Sequence, residues 1–320
     1  MHGIFTIFRK ELADQFSSTR FLLISALIVM VGVIIASMVG MGIQEETRGL
    51  AKPTLIFLLL FTSTGKLFSF IQFIGFFGPL VGIILGFDSI NRERVSRTLS
   101  KLVAQPIYRD SIINAKFLTG VTVITIVLVA IILIIAGLGI RLIGVVPGAE
   151  EISRLFIYLI ISILYISFWL GISILFSVVF RSTATSALAS LAVWIFFSFF
   201  VSLGAGVLAD AVAPMSQSAS GIVPDVLLRH EQVQRTISFF SPMNLYSDAT
   251  STILNPMRKA TKLVFVGPME QLSMSRFQNP LPLLQSLYIV TPHLVSLVAI
   301  TFLCFGICYL VFMRQEIRTV

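Results

Sequence analysis

Six stretches of the chain run for more than 20 residues without an Asp, Glu, Lys or Arg, and polar segments separate them. They are Phe21 to Met41, Leu67 to Phe87, Phe117 to Ile140, Leu155 to Phe180, Ala187 to Ala209 and Tyr288 to Met313. A helix needs roughly 20 mostly apolar residues to cross the hydrocarbon core of a bilayer, so each stretch predicts one transmembrane span. A seventh apolar run, Thr54 to Phe61, is too short to cross and is expected to extend the second helix or to lie at the surface. Ahead of the first span, Ile4, Phe5, Ile7, Phe8, Leu12 and Phe16 fall on one helical face while Arg9, Lys10, Glu11 and Asp14 crowd the other. That pattern predicts a helix lying in the interface over residues 1–20, or a plain continuation of the first span. The fold class is therefore all-α and polytopic, a single transmembrane domain over 1–320.

Composition agrees with the pattern: 56% of residues are apolar and 12% charged, against about 45–50% and 25% in soluble domains. A mean hydropathy of +0.97 excludes an ordinary soluble globular protein. The net charge of +8 reads as loop bias and attraction to anionic membrane lipid, not as nucleic-acid binding. Cytoplasmic termini would place 12 Lys and Arg in 62 inside residues (1–20, 88–116, 181–186 and 314–320). The outside segments (42–66, 141–154 and 210–287) would then hold 11 in 117, a bias favouring this orientation in the cell membrane. Charges at Arg9, Lys10, Glu11 and Asp14 occupy the place of a signal peptide's apolar region, so no cleaved signal is expected.

The uncharged spans argue against proton-coupled pumping, which keeps ionisable residues at membrane depth despite their cost. His293, at the end of the last span, is the nearest histidine. His230-Glu231 lacks the second histidine of a zinc-protease helix because Gln234 stands in its place, and Gly65-Lys66 has no phosphate-loop glycine five residues earlier. The chain is thus not expected to be an enzyme, nor to hold a metal or cofactor. Cys304 and Cys308 lie four apart in one span, a spacing unsuited to a mutual disulfide. Pro-Met pairs at Met215, Met243, Met257 and Met269 evoke copper(I), but their wide spacing gives them no common face.

The densest charge cluster lies at 88–116, between spans two and three. There Val95, Leu99, Leu102 and Val103 share a helical face ringed by Arg92, Glu93, Arg94, Arg97 and Lys101, and Pro106 stops the helix. Such a segment is either a lever for a soluble partner or a solvated interfacial loop. It resembles the first cytoplasmic loop of the ABC type-2 permeases at Asp88, Glu93-Arg94, Thr98-Leu99, Leu102, Gln105-Pro106, Arg109 and Lys116. Phe8-Arg9-Lys10-Glu11-Leu12 is similar to the elbow helix of that family, Phe180-Arg181-Ser182-Thr183 to its turn between spans four and five, and Ser241-Pro242 near Leu245 to its segment before the last span. Arg97 departs from the family's usual glycine, a change expected to improve helix formation.

The resemblance implies a half-transporter that exports its substrate by alternating access, two copies pairing with two separate ATPase subunits. The loop helix around Glu93, Arg94, Arg97, Thr98, Leu99 and Leu102, with Pro106, Arg109 and Lys116, would couple to the ATPase. The alternative is a non-transporting assembly factor or receptor that binds a partner through the outer segment, 210–287. Two further patterns lie within the spans. Gly78, Gly82 and Gly86 form a small-residue ladder suited to packing inside the chain or to a homodimer contact. Ser186, Ser190, Ser198 and Ser202, with Trp194, form a stripe that either bonds across helices or lines a pathway. From Pro224-Asp225 to Phe240 an amphipathic stretch predicts a small helical cap outside the membrane.

Overall fold

A computed structural model describes residues 2–46, 55–62, 69–98, 108–212, 224–256 and 281–315, and among these every regular element is helical. In chain order they are α1 (His2–Phe16), α2 (Thr19–Glu46), a 3-10 turn (Ile56–Leu58) with α3 (Leu59–Thr62), α4 (Phe70–Gly86) and α5 (Asn91–Val95). Then follow α6 (Arg109–Ile143), α7 (Ala149–Val179), α8 (Thr183–Ile195), a π-turn (Phe196–Phe200), α9 (Val201–Val212), α10 (Pro224–Ser238), α11 (Pro242–Leu254) and α12 (Leu283–Arg314). Among the described residues six helices are long and apolar enough to cross a bilayer, and they correspond to the six uncharged stretches.

Helix α7 is the central post, contacted by α4, α6, α8, α11 and α12. The glycine ladder explains its closest contact. A Cβ on Gly82 would come within 2.7 Å of the Ile166 carbonyl oxygen, and one on Gly86 within 2.8 Å of Ser173 Cβ. Any larger residue would push the α4 and α7 backbones apart, so the ladder serves packing inside the chain. Helix α2 rides on α6, and the amphipathic α1 lies mainly against α6, with few contacts to α2.

The short apolar run neither extends α4 nor lies at the surface. Ile56, Phe57, Leu58, Leu60 and Phe61 are all buried, and α3 packs on α2, α4 and α11. Glu151 makes this possible: its Oε1 accepts the Phe57 N–H at 3.0 Å while Oε2 accepts that of Gly148 at 2.8 Å.

Of the segment after α9, residues 224–256 are helical, as expected, and they pack into the bundle. Helix α10 runs back along α9, tied by His230 Nε2 to Asp210 Oδ1 at 2.9 Å. The chain reverses near Ser241, whose hydroxyl donates to the Phe197 carbonyl at 3.1 Å, and Ser241 also N-caps α11. Phe197 lies near the middle of the helical rod from Thr183 to Val212, which is about 45 Å long at 1.5 Å per residue. The hairpin tip therefore reaches mid-bundle. There the Tyr246 ring stacks on Tyr165 at 4.5 Å and its hydroxyl meets Ser162 and Tyr158, each at 3.2 Å.

Candidate functional site

The end of the bundle carrying α1 and α5, here the basal end, gathers most of the loop residues singled out by sequence. The chain leaves α4 at Gly86 and turns so that the N–H groups of Ile90 and Asn91 both donate to Ser177 Oγ of α7, at 3.0 and 3.2 Å. Arg20 at the start of α2 donates to Asp88 at 3.1 Å and lies over the Phe87 ring. The five residues of α5 are thus held against the last turn of the central post.

Two charged residues of α5 point inward. Arg94 donates to the carbonyls of Val178 and Phe180 at 2.9 and 3.2 Å and to Gln315 Oε1 at 2.6 Å. It caps carbonyls that the end of α7 leaves without helical partners. Gln315, just past α12, donates in turn to the Val178 carbonyl at 3.1 Å, and Arg109 reaches the Gln315 carbonyl at 3.4 Å.

Glu93 is buried and lies 3.0 Å from Lys116 Nζ; the same ammonium lies 3.1 Å from Glu11 of α1. Lys10 adds contacts to Glu11 at 3.4 Å, Asp14 at 3.5 Å and Glu93 at 4.0 Å. Burial pushes the Glu11 carboxyl upward, but Lys116 and Lys10 outweigh it and hold the group below its ordinary value. Neither Glu93 oxygen has a well-directed hydrogen-bond donor among the described residues. Burial outweighs the attraction of Lys116 and raises the Glu93 carboxyl above its ordinary value, and the ammonium 3.0 Å away offsets part of that cost.

Arg92, Val95, Ser96, Arg97 and Thr98 remain exposed. Beside them opens a groove of about 850 Å³, walled by Asp14, Arg20, Asp88 and Arg92 and by the start of α8 at Thr183. The expectation of one continuous helix through this loop fails at Arg97. Helix α5 ends at Val95, and Arg97 has φ 57°, in the left-handed region where a Cβ crowds the backbone. Arginine at this position does not improve the helix: the chain turns there in the conformation glycine adopts most easily. Leu99, Leu102, Gln105 and Pro106 lie outside the described residues.

The polar stripe of α8 also faces inward. Ser190 donates to the Ser186 carbonyl at 2.8 Å and approaches Ser173 Oγ at 3.5 Å. Trp194 is buried with its ring 5.1 Å from Phe76, and Ser198 is buried beside it on the π-turn. Ser202 falls in α9, and its side chain is outside the described set. Gly78, Gly82, Gly86, Ser190 and Trp194 thus hold α4, α7 and α8 together. Met243 opens α11, whereas Met215, Met257 and Met269 lie outside the described residues.

Sequence reasoning passed over the opposite, distal end. Arg154, fully buried, donates to the carbonyls of Ile253 and Leu281 at 2.7 and 2.6 Å, to Ser286 Oγ at 3.3 Å and to Glu150 at 2.8 Å. It joins the end of α11 and the start of α12 to α7. The signal available was Glu150-Glu151 four and three residues before Arg154 at the head of a span, a spacing that pairs charges along one helix.

Residues 5–317 match the family model described as ABC-2 family transporter protein. No curated protein matches the chain.

Proposed function

The chain belongs to the ABC-2 family of transporter proteins, and from that premise we propose that it is the membrane half of an exporter, driven from its basal end by separate ATPase subunits. Six apolar helices and the family assignment make it a multi-pass membrane permease of an ABC-type transporter, and membership implies an ABC ATPase partner. In our reading two copies of the chain pair with two ATPase subunits, both termini are cytoplasmic, and the path between the copies alternates its opening. The observation that carries this is the division of labour along 88–98. Glu93 and Arg94 anchor the loop to the helix ends, while Arg92, Val95 and Ser96 are exposed on its outer face. A loop so anchored passes a push on its exposed face directly into α7.

Co-purification tests the proposal. Solubilised under mild conditions, the chain should bring down an ABC ATPase, and Arg92→Glu with Arg97→Glu should abolish the association while leaving the permease folded. Vesicles holding both proteins should accumulate substrate on ATP addition. Native chain that recovers no ATPase, or a charge-reversed chain that recovers it undiminished, would overturn the reading.

A further inference from the structure

We propose that Lys116 is a positioning residue that locks the elbow helix α1 to the loop helix α5 through the base of α6, so that the three move as one lever. The inference rests on the ATPase-driven reading above and deepens it: it separates loop residues that transmit a push from those that receive it.

A single ammonium joins three elements. Lys116 projects from α6, its side chain is only 3% exposed, and it contacts Glu11 of α1 and Glu93 of α5 at nearly equal distance. Helix α1 has little other hold on the loop. It lies mainly on α6 and turns into α2 at Ser17-Ser18 with few contacts to that helix. Lys10, 4.0 Å from Glu93, adds the only other cation recorded near that carboxylate among the described residues. With its oxygens lacking directed hydrogen bonds, Glu93 depends on Lys116 for its burial. Parting α5 from α1 would leave at least one charge buried and uncompensated, the costly outcome for an ion pair. Moving both together with the base of α6, which carries Lys116, costs nothing of the kind. Arg94 meanwhile links the same five-residue helix to the ends of α7 and α12. A displacement of α5 therefore divides, through Glu93 to the elbow and through Arg94 to the post.

Spin labels at Ser17→Cys and Ser96→Cys, both exposed positions, report the α1–α5 distance when Cys304 and Cys308 are replaced by alanine. The native chain in lipid nanodiscs should give one narrow distance. Lys116→Met should broaden it and Lys116→Arg should restore it. In the complex with the co-purified ATPase, Lys116→Met should retain the ATPase but lose stimulated hydrolysis by roughly 5-fold or more, the range of a typical coupling free energy. Arg92→Glu should lose the ATPase at unchanged distance. An unchanged distance and unchanged stimulation in Lys116→Met would overturn the lock. So would loss of the ATPase from Glu93→Gln at native distance, because Glu93 would then be a contact residue. If no ATPase accompanies even the native chain, the preceding proposal fails, and the distance measurement still decides whether Lys116 locks α1 to α5.

Discussion

The two ends of the bundle each bury a cation, and they satisfy it in opposite ways. At the distal end, Arg154 spends its guanidinium hydrogens on two backbone carbonyls, a serine hydroxyl and one carboxylate. At the basal end, Lys116 faces two carboxylates from two separate helices, and one of them has no directed hydrogen bond. Arginine's planar fork fixes direction as well as charge, whereas an ammonium is a point charge that tolerates rotation of its partners. The distal site is a rivet, holding α11 and α12 to the post in one geometry. The basal site is a charge balance, which keeps its members together while allowing them to shift as a group.

This contrast can be broken or sharpened by experiment. The largest effect is expected at the rivet: Arg154→Met should lower stability by about 3–5 kcal/mol, because it leaves two buried carbonyls without their donor. Arg154→Lys should recover only part of that, since it cannot reproduce the fork. Thermal unfolding in nanodiscs measures both, and full recovery with lysine would erase the distinction between the two ends. At the charge balance, Lys116→Met should cost about 3 kcal/mol, and adding Glu93→Gln and Glu11→Gln should return most of it, because no buried charge then lacks a partner.

Acidification gives a third and smaller effect. The pKa of Glu11 is lowered in the folded state from 4.5, so its contribution to stability is present above that value and is lost as pH falls through the lower folded one. Glu11→Gln should therefore lower the melting temperature at neutral pH by an amount that does not vary with pH there, and should flatten the fall only below the ordinary carboxylate range. The smallest effect concerns Arg97. Relieving its left-handed backbone by Arg97→Gly should stabilise the chain by about 0.5–1 kcal/mol, the strain of a side chain at positive φ less the added freedom of glycine when unfolded. An unchanged or lower melting temperature would show that the arginine's own contacts compensate the strain.

The spans were legible because hydrocarbon imposes a simple rule: a helix without charge for about 20 residues has few other homes. The glycine ladder was legible as close packing for a similar reason, although only the coordinates choose α7 as its partner. The hairpin of α10 and α11 was not. The stretch from Pro224-Asp225 to Phe240 reads only as amphipathic, and what draws the hairpin inward is supplied by distant residues, Asp210, Phe197, Tyr165 and Arg154. The buried turn at Ile56–Leu58 likewise depends on one carboxylate 94 positions away. In the basal site, sequence picked out Glu93, Arg94 and Lys116 but not their direction. Hydropathy predicts that charged residues face water, and here their burial follows from mutual neutralisation between helices far apart in the chain.

The π-turn at Phe196–Phe200 has a consequence for rotational phase. A single π-turn amounts to one residue inserted into a regular helix, and each residue advances a helix by about 100°. Everything beyond Phe200 is therefore rotated from where an uninterrupted spiral would have carried it. Asp210 is brought round toward His230, and the carbonyl of Phe197 is offered to Ser241. Deleting one phenylalanine from this turn would restore a uniform spiral and swing α9 by roughly a quarter turn, carrying Asp210 away from His230.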